Sequence, residues 1–549
     1  MIPRGLSYDD AMRQFRWPRP ERFNMGRAVC ERHPREALAL IVEAADGVVR
    51  HWTFGQLLAA SSRLANALAA QGTGKGIGKG DRVGVFLSQG AELTICHIAA
   101  YRMGAVVLPL FTLFGEEALE YRLANAEASA VITDMSQLPK VLAVRDRLPH
   151  LKTIIAIGAG ANDSAFLDWD RLLGAASDSF ATVDTLAEDP ALLIYTSGTT
   201  GQPKGALHAH RVLLGSIPPV EQWLSHWPQG NEVMWTPAEW AWIAGLFDAL
   251  FPAWFYGTPV VAHRFQKFDP ERAFALLDRH RVGVAFVPPT ALKMMRQVHK
   301  PRDRWAYDLR AISTGGEAMG EELLDWGRDT FGTTISEGYG QTEMNLMLLN
   351  SPEWFEVRPG SCGRACPGRK VAIVDNGGNL LPPGEDGQIA GFRHDPIVML
   401  EYWRNPEATA KKFAGDWLLT GDLGRIDEDG YVFFKSRDDD VITSGGYRIG
   451  PGEIEECLMG HPAVAMVGVV GIPDKVRTEI VKAFVQLRPE IVGTDSLKTD
   501  LANFVKTRLA AHEYPREVEF VAELPLTTTG KIMRRELRRL DAERKRGHR

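Results

Sequence analysis

The chain has little cysteine, little net charge and no long uncharged apolar run. Five cysteines in 549 residues (Cys30, Cys96, Cys362, Cys366, Cys457) exclude a disulfide framework and fit a reducing compartment. Cys362 and Cys366 are four apart, but no second pair and no nearby histidine completes a zinc set, so they read as ordinary thiols. A net charge of −6 gives no general reason to expect nucleic acid or an anionic membrane as partner. The most apolar stretch, residues 240–262, contains Asp248 and Pro252 and reads as a buried helix and strand, so no transmembrane segment is expected. Residues 1–5 lack the apolar core of a signal peptide, and the expected location is cytoplasmic. One local charge bias exists at Arg534, Arg535, Arg538, Arg539, Arg544, Lys545 and Arg546, read as a solvated helix end.

What is present begins with one loop. Thr196-Ser197-Gly198-Thr199-Thr200-Gly201-Gln202-Pro203-Lys204-Gly205 combines hydroxyls, glycines and a lysine. Glycine lets backbone N–H groups approach a ligand, hydroxyls donate, and lysine supplies charge, so this is the composition of a polyphosphate cradle. A merely flexible turn has the same composition. It follows the apolar, β-prone run 191–195 and so leaves the end of a strand. It does not fit the G-x-x-x-x-G-K-[ST] spacing. The glycine-rich stretch 72–80 follows a helix and precedes a strand, the reverse of a dinucleotide fingerprint, and reads as a connection.

At this length two to four domains or subdomains are expected. Helical patterns at 54–71, 91–103, 116–125, 241–251 and 271–280 alternate with strand patterns at 82–87, 105–110, 130–133, 232–236, 259–263 and 282–287. That alternation predicts parallel sheets covered on both faces, in two doubly wound α/β subdomains. From about 368 to 434, short strands separated by turn signals predict a small β-rich subdomain. The last hundred residues read as a separate α+β domain: helices at 452–459 and 497–509, strands at 464–471, 482–487 and 517–521. The fold class is thus α/β, with a large N-terminal domain over 1–436, a hinge at 437–440 and a mobile C-terminal domain over 441–549.

The loop at 196–205, then Glu337-Gly338-Tyr339-Gly340-Gln341-Thr342-Glu343, Leu419-Thr420-Gly421-Asp422, Arg437 with Asp439, and Pro525-Leu526-Thr527-Thr528-Thr529-Gly530-Lys531 together resemble the ordered motifs of the adenylate-forming (AMP-binding) enzymes. The pattern is most similar to medium-chain acyl-CoA synthetases and covers nearly the whole chain. The resemblance implies a ligase that joins a carboxylic acid to CoA through an acyl-adenylate, with ATP, Mg²⁺ and CoA required.

Residue roles follow from the same resemblance. Thr196 to Gly201 and Lys204 would hold the departing phosphates. Thr342 would touch the α-phosphate, and Glu343 would bind Mg²⁺. Tyr339 would stack on adenine, lined by Gly316, Glu317 and Ala318, with Glu337 and Gly338 alongside. Asp422 and Arg437 would hold the ribose. Lys531 would stabilise the adenylation transition state, and a lysine acetyltransferase acting on it would erase that charge. Asp439 would be the hinge, and Gly445, Gly446, Tyr447 and Arg448 would line the CoA tunnel.

Ala241, Trp242, Ile243, Ala244, Gly315 and Gly340 would line the acyl pocket. In acetyl-CoA synthetases a tryptophan and a valine match Gly340 and Gly315, so the pocket here should be deeper, while Trp240 and Ala241 could narrow it. Medium-chain acids are preferred, with short branched or aromatic acids open. The alternatives are an acyl-adenylate ligase that uses a carrier-protein thiol or an amine as acceptor, one that stops without CoA, a remote luciferase-like oxygenase, and a nucleotide-sensing protein without activity.

Overall fold

The computed structural model describes residues 1–549 except 72–75, 197–201, 317–318, 438–439, 445–446, 475–476, 510–512, 528–529 and 548–549. Contacts divide the chain into two compact units, Met1–Val371 with Gly391–Asp416, and Ala372–Ala390 with Trp417–Arg549.

The first unit is built on two sheets. In the eight-stranded sheet, Arg82–Phe86, Val106–Pro109, Ala130–Asp134 and Thr153–Ile157 run parallel, almost wholly buried. Strands hidden on both faces need helices on both sides, and the chain supplies them at Phe54–Ala69, Ala91–Met103 and Glu116–Asn125. The first of these starts at a capping box, in which the Thr53 hydroxyl accepts from the Gln56 N–H and the Gln56 side chain accepts from the Thr53 N–H. Strand β1 (Pro190–Thr196) joins this sheet parallel to Val106–Pro109 and pairs antiparallel with β2 (Lys204–Ala209). Helix α1 (Val212–Trp223) follows, buried along its whole length.

The nine-stranded sheet carries the second α/β block. Met234–Trp235, Val260–His263, β3 (Val284–Phe286), β4 (Ala311–Gly315) and β5 (Ile335–Gln341) are parallel. Beyond β5 the chain reverses into β6 (Asn345–Leu349). At the other edge Leu38–Glu43 lies parallel to Val260–His263 and carries the antiparallel strand Val49–Thr53, a hairpin that the helix–strand alternation did not announce. Short strand β7 (Glu401–Tyr402) returns to the first sheet and pairs with β2.

The expected helix at 241–251 is three pieces. A short turn at Ile243–Gly245 runs into a π-turn at Leu246–Leu250, then an α-turn at Phe251–Phe255. Pro252 explains the break. Proline has no N–H to donate and clashes inside a continuous helix. The π-turn closes with the Phe251 N–H on the Leu246 carbonyl, so Pro252 falls in the first turn of a new helix, where no donor is needed.

In the second unit β8 (Trp417–Ile426) pairs antiparallel with β9 (Val432–Arg437). Farther along, Ile442–Ser444, Tyr447–Ile449, Val464–Asp474, Thr478–Leu487 and Glu517–Phe520 make one sheet, packed by helices Pro451–Met459 and Asp495–Arg508. The basic C-terminal segment is helix α2 (Arg534–Gly547). Its Leu537 is fully buried, and several of its charges form ion pairs within the unit: Arg539 with Glu536 and Glu543, Lys545 with Asp541, Arg544 with Glu519. Among the described residues no helix is long and apolar enough to cross a membrane.

Three histidines of the first unit are fully buried, and burial pushes them down, His97 to about 3, His208 to about 4 and His210 to about 4. In the unfolded chain each takes a proton near pH 6.5; in the folded chain none does until those lower values. Their contribution is therefore present above about pH 6.5 and lost as pH falls through about 4. Each adds a slope of up to about 1.4 kcal/mol per pH unit in that window. Urea unfolding between these values should show the loss, and His97→Gln should reduce its slope by about one proton; an unchanged slope contradicts the account.

Candidate active site

The β1–β2 hairpin delivers Thr196 and Lys204 to the same end of the first sheet, opposite each other in register. Ser197, Gly198, Thr199, Thr200 and Gly201 lie outside the described residues. Pro203 is fixed by the Tyr121 hydroxyl, which donates to its carbonyl at 3.0 Å. Lys204 projects its ammonium over the ring of Tyr402, 5.4 Å from the centroid. Tyr402 is held there because β7 pairs with β2, Tyr402 opposite Ala206.

The same tyrosine reaches Glu343. Its hydroxyl donates to Glu343 Oε1 at 2.5 Å. Glu343 sits with Thr342 in the turn between β5 and β6, and its carbonyl accepts from the Met399 N–H at 2.8 Å. The side chain is buried, which works against its charge. The nearby Lys412 ammonium and the Tyr402 hydroxyl outweigh that and hold the carboxyl below the ordinary glutamate range. Lys412 also donates to Gln341 Oε1 at 3.2 Å. His208, one strand away on β2, is fully buried and neutral at physiological pH. The donor set suits a hard divalent cation that takes one carboxylate from the protein and its other oxygens from phosphate and water. Among the described residues no cluster of three acidic, histidine or cysteine side chains offers an all-protein metal cage.

The turn is shaped from beneath. Asn345 has φ of +42°, a conformation that asparagine tolerates better than most residues. Its amide donates to Asp248 at 2.7 Å in a fully buried contact. Burial pushes the Asp248 carboxyl up to about 8. A Cβ on Gly340 would fall inside the Asn345 carbonyl, so glycine at 340 is also demanded by the return of the chain into β6. A register shift between Tyr339 and Gly340 marks the spot.

Beside this turn, Gly315 and Gly338 are neighbours in parallel register at the carboxyl ends of β4 and β5, where open α/β sheets bind ligands. Gly316 follows with φ of +100°, open to glycine alone without strain. Tyr339 is half-buried on β5, and Glu337 pairs in register with Thr314. Glu317 and Ala318 are outside the described residues. Ala241, Ile243 and Ala244 are buried and Trp242 is half-buried.

In the second unit Asp422 and Arg437 stand opposite each other across β8 and β9. Asp422 is buried, and its N–H donates to the Thr420 hydroxyl at 3.0 Å. Lys531 is exposed at the end of a tight turn, where the Thr527 N–H donates to the Lys531 carbonyl at 2.7 Å and the Lys531 N–H donates to the Thr527 hydroxyl at 3.0 Å. Asp439, Gly445 and Gly446 lie outside the described residues, as do the side chains of Tyr447 and Arg448. Asp440, the next described residue after 439, is tied to α2 through Arg534 at 3.0 Å and Arg538 at 3.3 Å.

Tyr402, Lys412, His208 and Asp248 were missed by sequence reasoning. Each acts through a partner far along the chain, and no local pattern marks it.

The family description "AMP-binding enzyme" matches residues 27–403, and "AMP-binding enzyme C-terminal domain" matches residues 453–531. The chain belongs to the AMP-binding enzyme family. Its curated relatives include an acetyl-coenzyme A synthetase of Bacillus subtilis, 36% identical over 89% of this chain and 84% of the relative. The human mitochondrial acyl-coenzyme A synthetase ACSM4 is 34% identical over 98% of this chain and 93% of its own. Among solved structures, the anthranilate CoA ligase AuaEII in complex with anthranoyl-AMP superposes with a TM-score of 0.85 at 28% identity, covering 95% of this chain and 98% of that one. A benzoate CoA ligase from Burkholderia xenovorans gives 0.82 at 27% identity, covering 94% and 100%.

Tyr402→Phe keeps a ring under Lys204 and deletes the hydrogen bond to Glu343. A hydrogen bond to a charged group is worth about 1.5–3 kcal/mol, so Mg²⁺-dependent ATP binding should weaken roughly tenfold or more. Titration calorimetry with and without Mg²⁺ measures it, and equal affinities for the variant and the parent would contradict this role.

Proposed function

We propose that the protein is an AMP-forming carboxylic acid–CoA ligase. The carboxylate oxygen of the acid attacks the α-phosphorus of ATP, and the bond to the β-phosphate oxygen breaks, giving acyl-AMP and pyrophosphate. The CoA thiol then gives up its proton, its sulfur attacks the acyl carbon, and AMP leaves with the bonding electrons. The observation that carries the reading is the buried, ionised Glu343, held by Tyr402 beside Lys204 at the phosphate-type loop. Mg²⁺ bound at Glu343 would neutralise the phosphates. Lys204 draws the departing pyrophosphate, Thr342 faces the α-phosphate, and Tyr339 with Gly316 receives adenine. Asp422 and Arg437 hold the ribose.

Lys531 supplies positive charge to the first half-reaction, and rotation at Asp439 exchanges it for residues 445–448 in the second. This assigns 1–436 to adenylation and 441–549 to the moving part. Acetylation of Lys531 would switch the first half off. A cytoplasmic setting fits the five free cysteines.

Medium-chain fatty acids are the preferred substrates. Support comes from the relatives named acyl-coenzyme A synthetase. An aromatic acid is the second reading, favoured by the anthranilate and benzoate ligases among the structural neighbours.

Thioester formation across straight acids of two to twelve carbons, plus benzoate, with ATP, Mg²⁺ and CoA tests the assignment. The expected optimum is a medium chain; acetate as best substrate contradicts it. Lys531→Ala should cost on the order of 10²–10³ in ATP–pyrophosphate exchange. Asp439→Pro should leave exchange near the parent rate and cripple thioester formation; equal loss in both halves would rule out the hinge role.

A further inference from the structure

The two segments assigned to the acyl pocket, 241–244 and the glycines of β4 and β5, are joined by two aromatic rings that the sequence did not single out. Trp242, half-buried, has its ring 6.3 Å from that of Phe286 on β3. Phe286 in turn lies 5.4 Å from Trp223, the last residue of α1. Phe286 and Trp223 are each only 1% exposed, so the row runs from partial exposure into full burial.

Trp223 ends that row against the glycines. A Cβ on Gly338 would lie 2.6 Å from Leu346 Cδ1 and 2.8 Å from both Cε2 and Cζ2 of the indole; one on Gly315 would meet the Gly338 carbonyl at 2.7 Å, with the indole Cη2 in ordinary contact at 3.4 Å. The indole thus shares with Leu346 the volume that a side chain at 338 would take, and it touches Gly315 at its edge. It is not free to swing away, because its N–H donates to the Ser336 carbonyl at 2.9 Å in a buried contact. Turning the ring would strand that donor without water to replace the acceptor. Packed interiors resist insertion of even one extra methylene.

We propose that Trp223 is the floor of the acyl pocket and sets the longest straight chain the enzyme accepts. This rests on the ligase reading above and adds the residue that limits its substrate. Each added methylene that finds apolar surface raises kcat/KM about fourfold. The gain continues down the row from Trp242 past Phe286 and stops where the chain end meets the indole.

Acid-dependent ATP–pyrophosphate exchange over saturated acids of two to sixteen carbons reads this directly. In the parent enzyme kcat/KM should climb with chain length and break at one length. In Trp223→Ala the break should move to longer acids, and in Trp223→Phe it should move less. Both variants keeping the parent's break length, whatever their overall rate, would overturn the proposal. Since Trp223→Ala opens a hole in a packed region, Trp223→Leu provides the same comparison with the core better filled, and a break unmoved in Leu and Phe variants that fold is equally decisive against it. Absence of exchange with every acid in the parent enzyme would instead overturn the ligase reading, along with the proposal built on it.

Discussion

A carboxylate kept charged in a dry site is the constraint on which the rest of the first unit turns. Glu343 is buried, and burial alone would favour its neutral form. Its charge survives because Tyr402, on an edge strand that pairs with β2, and Lys412, at the end of the short helix after it, arrive from a segment some sixty to seventy residues later. The same edge strand brings a ring beneath Lys204. One tyrosine therefore couples the cationic and anionic ends of the site, and the small strand carrying it is as consequential as the large sheets behind it.

How much of this was legible depends on whether the information was local. Helix Ala91–Met103 was read to the residue because Gly90 and Gly104 bracket it, and Gly104 takes the left-handed cap at φ of +70°. The motif residues were legible because each motif is contiguous, and the structure sets Lys204 near the Glu343 turn and Asp422 opposite Arg437. The helix at 241–251 was misread as continuous because apolar periodicity outweighed one proline just beyond its end. Trp223 and Asp248 were illegible for a different reason. A tryptophan in an apolar helix and an aspartate in an apolar stretch carry no sign of the strand they will face. Only the return of β4, β5 and β6 supplies Ser336, Gly338 and Asn345 as their partners.

The second unit shows a related economy. Arg534 bridges Asp440 and Glu455, so Asp440 is fastened directly to the C-terminal helix. Arg534 and Arg538 of the basic segment form that clamp and Arg544 pairs at the sheet edge with Glu519, while Arg535, Arg539, Arg544 and Lys545 stay exposed, as on a solvated helix end.

The contact between Gly338 and Trp223 has a consequence for how such a chain can change over generations. The two positions share one volume, which Leu346 also borders, so a larger residue at 338 is tolerated only after its neighbours at 223 and 346 have made room. Reversing the order passes through an overpacked intermediate, typically costing about 1–3 kcal/mol. Mutational routes through this region are therefore ordered: the neighbours at 223 and 346 move first, and 338 follows or stays glycine.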